Sequence, residues 1–494
     1  MNKWTPALEA ALKRASGYLD TVGDRPVVAR ATAADLRRAL GGPLPAAPQD
    51  PVDIVHRLAD AAVDGTVASQ GPRYFGFVVG GSVPAAVAAD WLVSTWDQNA
   101  GLYVLAPIVS VAEDIAGGWV RDVAGLSDEW TTGFVTGCQM ANFTSLAVAR
   151  HHVLEKAGWD VEADGLFGAP PIDVVVSDES HYTIFNALRY LGLGSARVHR
   201  VPTDDQGRMR ADLLNDVLAS LPNPRTSEQP NPTIVCAQAG NVNTGAFDPI
   251  DAIADACEKR GAWLHVDGAF GLWALATESR KHLAKGIQRA DSIATDAHKW
   301  LNVPYDCGIT MTRHRDAHRR TMTLKAAYIE TTDAERDPHD YVPEESRRGR
   351  AVTVYASLAS LGRDGLRDLV DRCCNHARRM AELLSAHPQV RVLNDVVLNQ
   401  ALIRIEPKGG VPDSPEAHAA ADAATRAVID AVQQDGECWL SGTTWHGMAA
   451  IRFSASNWST TDADIDRSAA SILKAISSVA ASFILSLSSC VFYI

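Results

Sequence analysis

Positive charge is what this chain is short of: 46 Lys and Arg stand against 59 Asp and Glu, for a formal net charge of −13. That balance removes the electrostatic reason to expect nucleic acid or an anionic membrane as a partner. Patterned cysteine is missing as well. The eight cysteines contain no CxxC, and their one close pair is Cys373 beside Cys374. A disulfide framework and a zinc-finger spacing are thereby excluded, and reduced thiols in a cytoplasmic setting are expected. Neither an internal repeat nor a low-complexity tract is present. The opening "MNKWTPALEAALKRASGYLD" is amphipathic and charged throughout, without the apolar centre and cleavage site of a secretory signal. The closing "SSVAASFILSLSSCVFYI" is apolar. It is short for a membrane span, broken by serines and without flanking basic residues, so it reads as a buried, frayed or extraneous tail rather than an anchor.

What is there describes an ordinary globular chain of 494 residues, 46% hydrophobic and 21% charged, long enough for two or three structural units. Residues 1–70 read as a helical arm with a Pro-rich joint, "GGPLPAAPQDP". The arm has no evident core of its own, so it is expected to pack on another subunit. Residues 71–355 alternate small-residue helices with β-branched runs: "IDVVVSD" (172–178), "TIVCAQAG" (233–240) and "AWLHVDGAF" (262–270). That alternation predicts an α/β domain around a mostly parallel mixed sheet buried on both faces. The segment 324–350, "LKAAYIETTDAERDPHDYVPEESRRGR", is rich in charge and poor in apolar anchors, and is expected to be an exposed loop. Residues 356–476 read as a smaller C-terminal α+β domain, with strands in "VRVLN", "NQALIRIEP" and "MAAIRFSAS", and 477–494 as the apolar tail.

In open α/β sheets, ligands collect beyond the carboxyl ends of the strands. "VVVSDESH" brings Ser177, Asp178 and His181 there, "HVDGAF" brings Asp267, and "ADSIATDAHK" brings His298 and Lys299. Each alone has a bland explanation as a turn, a cap or a solvated charge. Together they fit pyridoxal 5′-phosphate, which needs a lysine for a Schiff base and an acid beside its pyridine nitrogen. It also needs a cradle for its phosphate and a flat group over its ring. Lys299 supplies the amine and Asp267 the acid, since a carboxylate there favours the protonated ring. His181 supplies the flat group. "TGCQMANFTSLAVARH" (136–151) reads as a turn entering a helix, whose free N–H groups suit a phosphate.

The ordered strings "TGCQMANFTSL", "SDESHYTIFNALRYLGLG", "HVDGAFG" and "TDAHKW" resemble the group II pyridoxal-phosphate-dependent amino-acid decarboxylases. That family includes the aromatic amino-acid, glutamate, cysteine sulfinate and diaminobutyrate enzymes. The resemblance runs from "GPRYFGF" at 71 to "IRFSASNWSTTDADIDR" at 451–467, with "ESRRGRAVTVYASLASLGRDGL" between. It implies the fold-type I, aminotransferase-like architecture and a homodimer with active sites at the subunit interface. Lys299 then matches the Schiff-base lysine, Asp267 the pyridine-nitrogen partner and His181 the stacking residue. Ala269 matches the small residue on the ring's other face. Asp296 and His298 match residues near the phosphate, Asn142 lies in the phosphate-loop motif, and Thr244 is counted among the cofactor contacts. Arg452 matches an arginine that holds the substrate carboxylate in some members, a task suited to its two-pronged donor geometry. Where the family often has glycine followed by a hydroxyl residue, this chain has Cys138 and Gln139. Backbone N–H groups, Gln139 or Thr136 then have to replace a missing hydroxyl donor.

The resemblance implies decarboxylation of an L-amino acid to its amine. Phe77, Val78 and Val79 favour an aromatic or apolar side chain, whereas Gln98 and Asn99 point towards the glutamate-type members. Another fold-type I reaction (an aldehyde-forming oxidative deamination, a carbon–carbon lyase or an aminotransferase) and a catalytically silent scaffold are the rivals. In such decarboxylases a loop tyrosine protonates Cα. Tyr341 is favoured here over Tyr328, with simple packing of the loop stem as the alternative.

Overall fold

The computed structural model describes residues 2–222, 231–323, 335–407 and 414–490, with only the backbone for 481–490. They form two compact units. One comprises Gly80–Arg378 and Leu393–Leu402; the other comprises Met1–Val79, Arg379–Val392 and Ile403–Ile494.

The larger unit is organised by a seven-stranded sheet of β1 (Thr131–Val135), β2 (Asp173–Ser177), β3 (His199–Val201), β4 (Thr233–Gln238), β5 (Trp263–Asp267), β6 (Ser292–Asp296) and β7 (Gly308–Thr312). Its order is β1-β7-β6-β5-β4-β2-β3. The run from β6 to β3 is parallel, and β7 is antiparallel to both β6 and β1. Because β7 is the sole reversed strand, β1 points the same way as β6, and the carboxyl ends of β1, β2, β5 and β6 share one edge. Every residue of β1, β4, β5, β6 and β7 is buried. Strands covered on both faces need runs of Val, Ile and Ala rather than alternation, which is why β2, β4 and β5 stand out in the sequence. β1 ("TTGFV") and β7 ("GITMT") carry glycine and threonine within short runs and escape such a reading.

The helix that covers the sheet nearest the site is Cys138–Lys156. Leu146, Val148 and Val153 from it pack with Val174, Val176, Ile184, Leu188 and Ile234 into one apolar cluster. Two helices on the amino-terminal side, Pro84–Trp96 and Pro107–Val123, each start on proline at the first position, where its missing N–H is harmless.

The second unit holds the arm, with helices Thr5–Thr21, Ala33–Leu40 and Pro51–Gly65, and a four-stranded sheet apart from residues 400–402, which belong to the larger unit. Its strands are β8 (Val390–Val392), β9 (Gln400–Ile405), β10 (Ser441–Trp445) and β11 (Met448–Ser454), in the order β10-β11-β9-β8. β10 and β11 are joined by His446 and Gly447, with φ of 46° and 80°. Two successive positive φ values are the mark of the tight hairpin turn whose twist matches the strands. The helix Asp462–Cys490 includes the first part of the apolar tail. No helix among the described residues is long and apolar enough to cross a membrane.

One expectation is overturned. The described part of the supposed exposed loop, 335–350, is largely packed: Asp337, His339, Asp340, Tyr341, Val342 and Arg347 are all buried. The anchors are ionic rather than apolar, so hydropathy alone misses them. Arg336 and Arg347 both pair with Glu113, whose side chain is fully enclosed. The Arg336 guanidinium also lies 4.2 Å from the centre of the Tyr341 ring, and His318 Nε2 lies 3.0 Å from the Tyr341 carbonyl. A buried carboxylate shared by two guanidiniums is costly to break from one side, because the surviving charge stays buried. Glu113→Ala is therefore expected to destabilise the protein by about 3–5 kcal/mol, read as a lower urea midpoint. Arg363→Ala, which removes an exposed pair with Asp122, is expected to cost less than about 1 kcal/mol. Equal losses in the two variants would show that burial does not give the Glu113 network its weight.

Candidate active site

The shared strand edge gathers the residues singled out from the sequence. Asp267 ends β5 and Asp296 ends β6. β2 ends at Ser177, and His181 stands immediately before the helix Tyr182–Tyr190. β1 leads through Gly137 into the helix Cys138–Lys156, whose amino terminus carries no side-chain cap.

Lys299 projects from the turn after β6. Its Nζ lies 3.0 Å from Asp296 Oδ2, and its side chain is 19% exposed. Enclosure alone would lower the lysine's pKa, but the Asp296 charge and hydrogen bond, with help from Asp267, outweigh it and leave the value raised. The other oxygen of Asp296 accepts the Cys138 backbone N–H at 2.6 Å and lies 3.5 Å from His298 Nε2. His298 is fixed from behind, since its Nδ1 accepts the Cys307 N–H at 3.1 Å. Its ring lies 4.3 Å from that of Tyr305. Burial keeps the His298 pKa below the usual imidazole value.

Asp267 is buried and surrounded by donors. Asn142 Nδ2 donates to Oδ2 at 3.0 Å, while the Ala269 N–H donates to Oδ1 at 3.1 Å. The Cys138 thiol adds a weaker bond to Oδ1 at 3.4 Å. Burial, then Asp267 and Asp296, push the Cys138 pKa well up, so the sulfur keeps its proton. Cys138 thus contributes a thiol donor to Asp267 and a backbone N–H to Asp296. Asn142 also connects to His181: its Nδ2 lies 3.3 Å from Thr183 Oγ1, which is 2.9 Å from His181 Nδ1.

The larger unit therefore brings Lys299, Asp296, His298, Cys138, Asn142, Asp267, Ala269 and His181 into one bonded group. Gln139 sits half-buried in the first turn of the helix that follows β1. Thr244 is elsewhere engaged, its hydroxyl donating to the Gln206 carbonyl at 2.7 Å and its carbonyl accepting from Asn394. Asn99 is occupied locally, with Oδ1 accepting the N–H groups of Gly101 and Arg347. Tyr341 lies in the packed stem described above, which supports the packing role; Tyr328 lies outside the described residues. In the other unit, Arg452 stands 5.8 Å over the Phe77 ring, and Phe77 lies 5.4 Å from Trp439. Burial lowers the Arg452 pKa.

Sequence reasoning missed His265, Thr183 and three close glycine contacts. His265 precedes Asp267 by two in "HVD", so the two share a strand face, and that period-two relation was the available signal. A Cβ on Gly80 would fall 1.8 Å from the Lys299 carbonyl oxygen, and one on Gly137 would fall 3.2 Å from His298 Cε1. One on Gly308 would fall 2.3 Å from the Gly137 carbonyl carbon. These contacts leave the turn before the helix and the lysine turn no room to drift.

The donor set suits pyridoxal phosphate. An enclosed carboxylate could pair with a pyridine nitrogen, an amine is available for an aldehyde, and a helix terminus with His298 beside it suits a phosphate. Comparison with known proteins agrees. Residues 34–405 match the family model described as the pyridoxal-dependent decarboxylase conserved domain. The chain is 28% identical over 375 residues to an aromatic-L-amino-acid decarboxylase of Bacillus atrophaeus, covering 75% of this chain and 74% of that protein. It is 30% identical over 330 residues to a cysteine sulfinic acid decarboxylase of Rattus norvegicus, covering 65% and 64%. Among solved structures, Oryza sativa TDC with PLP and tryptamine superposes with a TM-score of 0.88 at 21% identity, over 97% of this chain and 98% of that one.

The tight Gly308–Gly137 contact generates a test. Gly308→Ala must displace β7 or the turn before the helix, and is expected to raise the Kd of the apoprotein for pyridoxal phosphate on the order of tenfold, the scale of one lost hydrogen bond. An unchanged Kd would show that this turn does not hold the phosphate.

Proposed function

The chain belongs to the family of pyridoxal-dependent decarboxylases, and on that footing we propose that it converts an L-amino acid to CO2 and the corresponding amine. The observation that carries the proposal is the close pairing of a half-buried amine with a buried carboxylate, Lys299 with Asp296, beside a second carboxylate, Asp267, held among donors. When bound, pyridoxal phosphate supplies the electron sink that stabilises the developing charge at Cα. The protein's part is to attach, orient and protonate. Lys299 has to shed a proton before its nitrogen can attack an aldehyde, and Asp296 Oδ2 is placed to receive it. Asp267 stabilises a proton on the pyridine nitrogen, because an adjacent anion favours the charged ring. His181 would stack on the ring, with the small Ala269 leaving space opposite. His298, Gln139 and the N–H groups of the helix terminus that Asp296 does not take would hold the phosphate.

An aromatic or apolar side chain is the favoured substrate. Asn99, one of the two residues (with Gln98) that argued for a glutamate-type pocket, has its acceptor committed to Gly101 and Arg347. Phe77 is 58% exposed and shares its surroundings with Trp439 and Arg452. Phe77 and Val78 both have positive φ, 53° and 58°. Side chains rarely adopt that conformation, and a β-branched residue does so least of all. Backbone strain of this kind concentrates where ligands are clamped. Arg452 is assigned the substrate carboxylate. The working unit is taken to be a homodimer. The exposed Trp4, Leu8 and Leu12 recur at helical spacing on the arm, and Ile108, Val111 and Ile115 do so on the helix Pro107–Val123. Both stripes suit a second copy.

The reading is tested by incubating purified, cofactor-loaded protein with each of the twenty amino acids while measuring CO2 and amine together. One amine per CO2 from an aromatic amino acid is expected, with Lys299→Ala yielding neither. Aldehyde and ammonia in place of amine would reassign the reaction to oxidative deamination. Arg452→Ala is expected to raise KM by roughly tenfold to a hundredfold, the loss of a charge-assisted hydrogen bond, with cofactor affinity little changed. Unchanged kinetics would return Arg452 to a structural role.

A further inference from the structure

Behind Asp267 runs a buried line of polar groups that the reaction does not itself require. Trp263 Nε1 is 3.0 Å from Ser292 Oγ, which is 2.9 Å from His265 Nδ1. His265 Nε2 is 2.9 Å from Asn142 Oδ1, and Asn142 Nδ2 is 3.0 Å from Asp267 Oδ2. Trp263, Ser292, His265, Asn142 and Asp267 are all buried, so water does not complete these bonds.

The direction of the chain is set from the carboxylate end. An indole N–H only donates, so Ser292 accepts from Trp263 and keeps its single proton available for His265 Nδ1. An ionised carboxylate only accepts, so the Asn142 amide turns its NH2 group to Asp267 and its oxygen to His265 Nε2. The neutral imidazole is then the Nε2–H form, which satisfies both requirements at once. His265 is suited to this, because burial pushes its pKa down to about 4 and keeps it uncharged. The second proton of the Asn142 NH2 group points to Thr183 Oγ1, whose own proton is then available to His181 Nδ1.

The geometry points to Asn142 as a positioning residue that orients both the acid beside the ring nitrogen and the histidine over the ring, with its amide set by Trp263, Ser292 and His265. The inference rests on the assignment of Asp267 and His181 to the cofactor. The function it adds is a fixed donor for Asp267, whose bond does not fluctuate between acceptor and donor partners during turnover. Polar chains of this kind in a low-dielectric interior reinforce one another when every member is satisfied.

Two measurements test it. The first is 15N NMR of histidine-labelled protein, with the His265 signals identified by their loss in His265→Gln. The Nε2–H tautomer is expected, unchanged between pH 5.5 and 8.5, with or without pyridoxal phosphate. An Nδ1–H tautomer or an imidazolium in that range would overturn the chain of bonds whatever the protein catalyses. The second compares Ser292→Ala with Ser292→Thr. The alanine variant is expected to weaken pyridoxal phosphate binding by about three- to tenfold, the scale of one buried hydrogen bond. It should also move the pH at which the bound cofactor's visible band titrates by about half to one unit. The threonine variant, which keeps the hydroxyl, is expected to restore both. Unchanged affinity and titration in Ser292→Ala would overturn the positioning role, and so would a loss in alanine that threonine does not relieve. Asp267→Asn separates the two levels. If that variant binds and titrates the cofactor normally, the assignment of Asp267 fails, while the tautomer result stands on its own.

Discussion

A carboxylate that must stay ionised inside a sheet is the constraint around which this structure is arranged. Asp267 ends a strand that is buried along its whole length, and an unpaired charge there would cost several kcal/mol. The fold meets the cost with donors drawn from separate places: an amide from the helix after β1, a backbone N–H from Ala269, and the thiol of Cys138. Each of these also touches something else in the site. The Ala269 carbonyl accepts the Asp296 N–H at 2.9 Å, and the Cys138 N–H is held by Asp296. Stabilising the one carboxylate therefore fixes the other, and with it the amine of Lys299.

The sheet makes this economy possible. Parallel strands deliver their carboxyl ends to one edge, so that Asp267 and Asp296 come from adjacent strands and reach neighbouring positions without a long connection. β7 runs the other way and places Gly308 against Gly137, so the first turn of the helix Cys138–Lys156 is seated on the sheet. Glycine is needed there for space rather than for backbone freedom. The ionic stem around Glu113 plays a comparable part on the flank, holding 335–350 against β1 by buried charges where apolar anchors are few.

The chemistry was legible in the sequence to an uneven degree. Lys299, Asp267 and His181 announce themselves because each lies at or just beyond the end of a predicted strand, and because a Schiff-base cofactor needs an amine, an acid and a flat ring together. Asn142 could be placed in the phosphate-loop motif, yet its bonds run to Asp267 and towards His181. Asp267 and Thr183, 125 and 41 positions away in the chain, do not reveal their distance to it. Thr244 and Asn99 are polar residues that the sequence offers to the site; in the fold the Thr244 hydroxyl bonds the Gln206 carbonyl, and Asn99 Oδ1 accepts the N–H groups of Gly101 and Arg347. A side chain's hydrogen-bonding capacity is finite, and only the folded neighbourhood says who uses it.

The sequence by itself determined the order of strands and helices, the residue types at the strand ends and the class of cofactor. Hydrophobic runs, glycines and the few chemically active side chains are local properties that survive in one dimension. Tertiary structure alone decided which oxygen of Asp296 faces Lys299, that Cys138 donates to Asp267, that the charged stretch 335–350 is largely packed, and that His265 backs the acid. Those outcomes depend on directional bonds and excluded water between groups far apart in the chain. A hydrogen bond is specified by position and angle, and neither exists until the backbone has closed on itself.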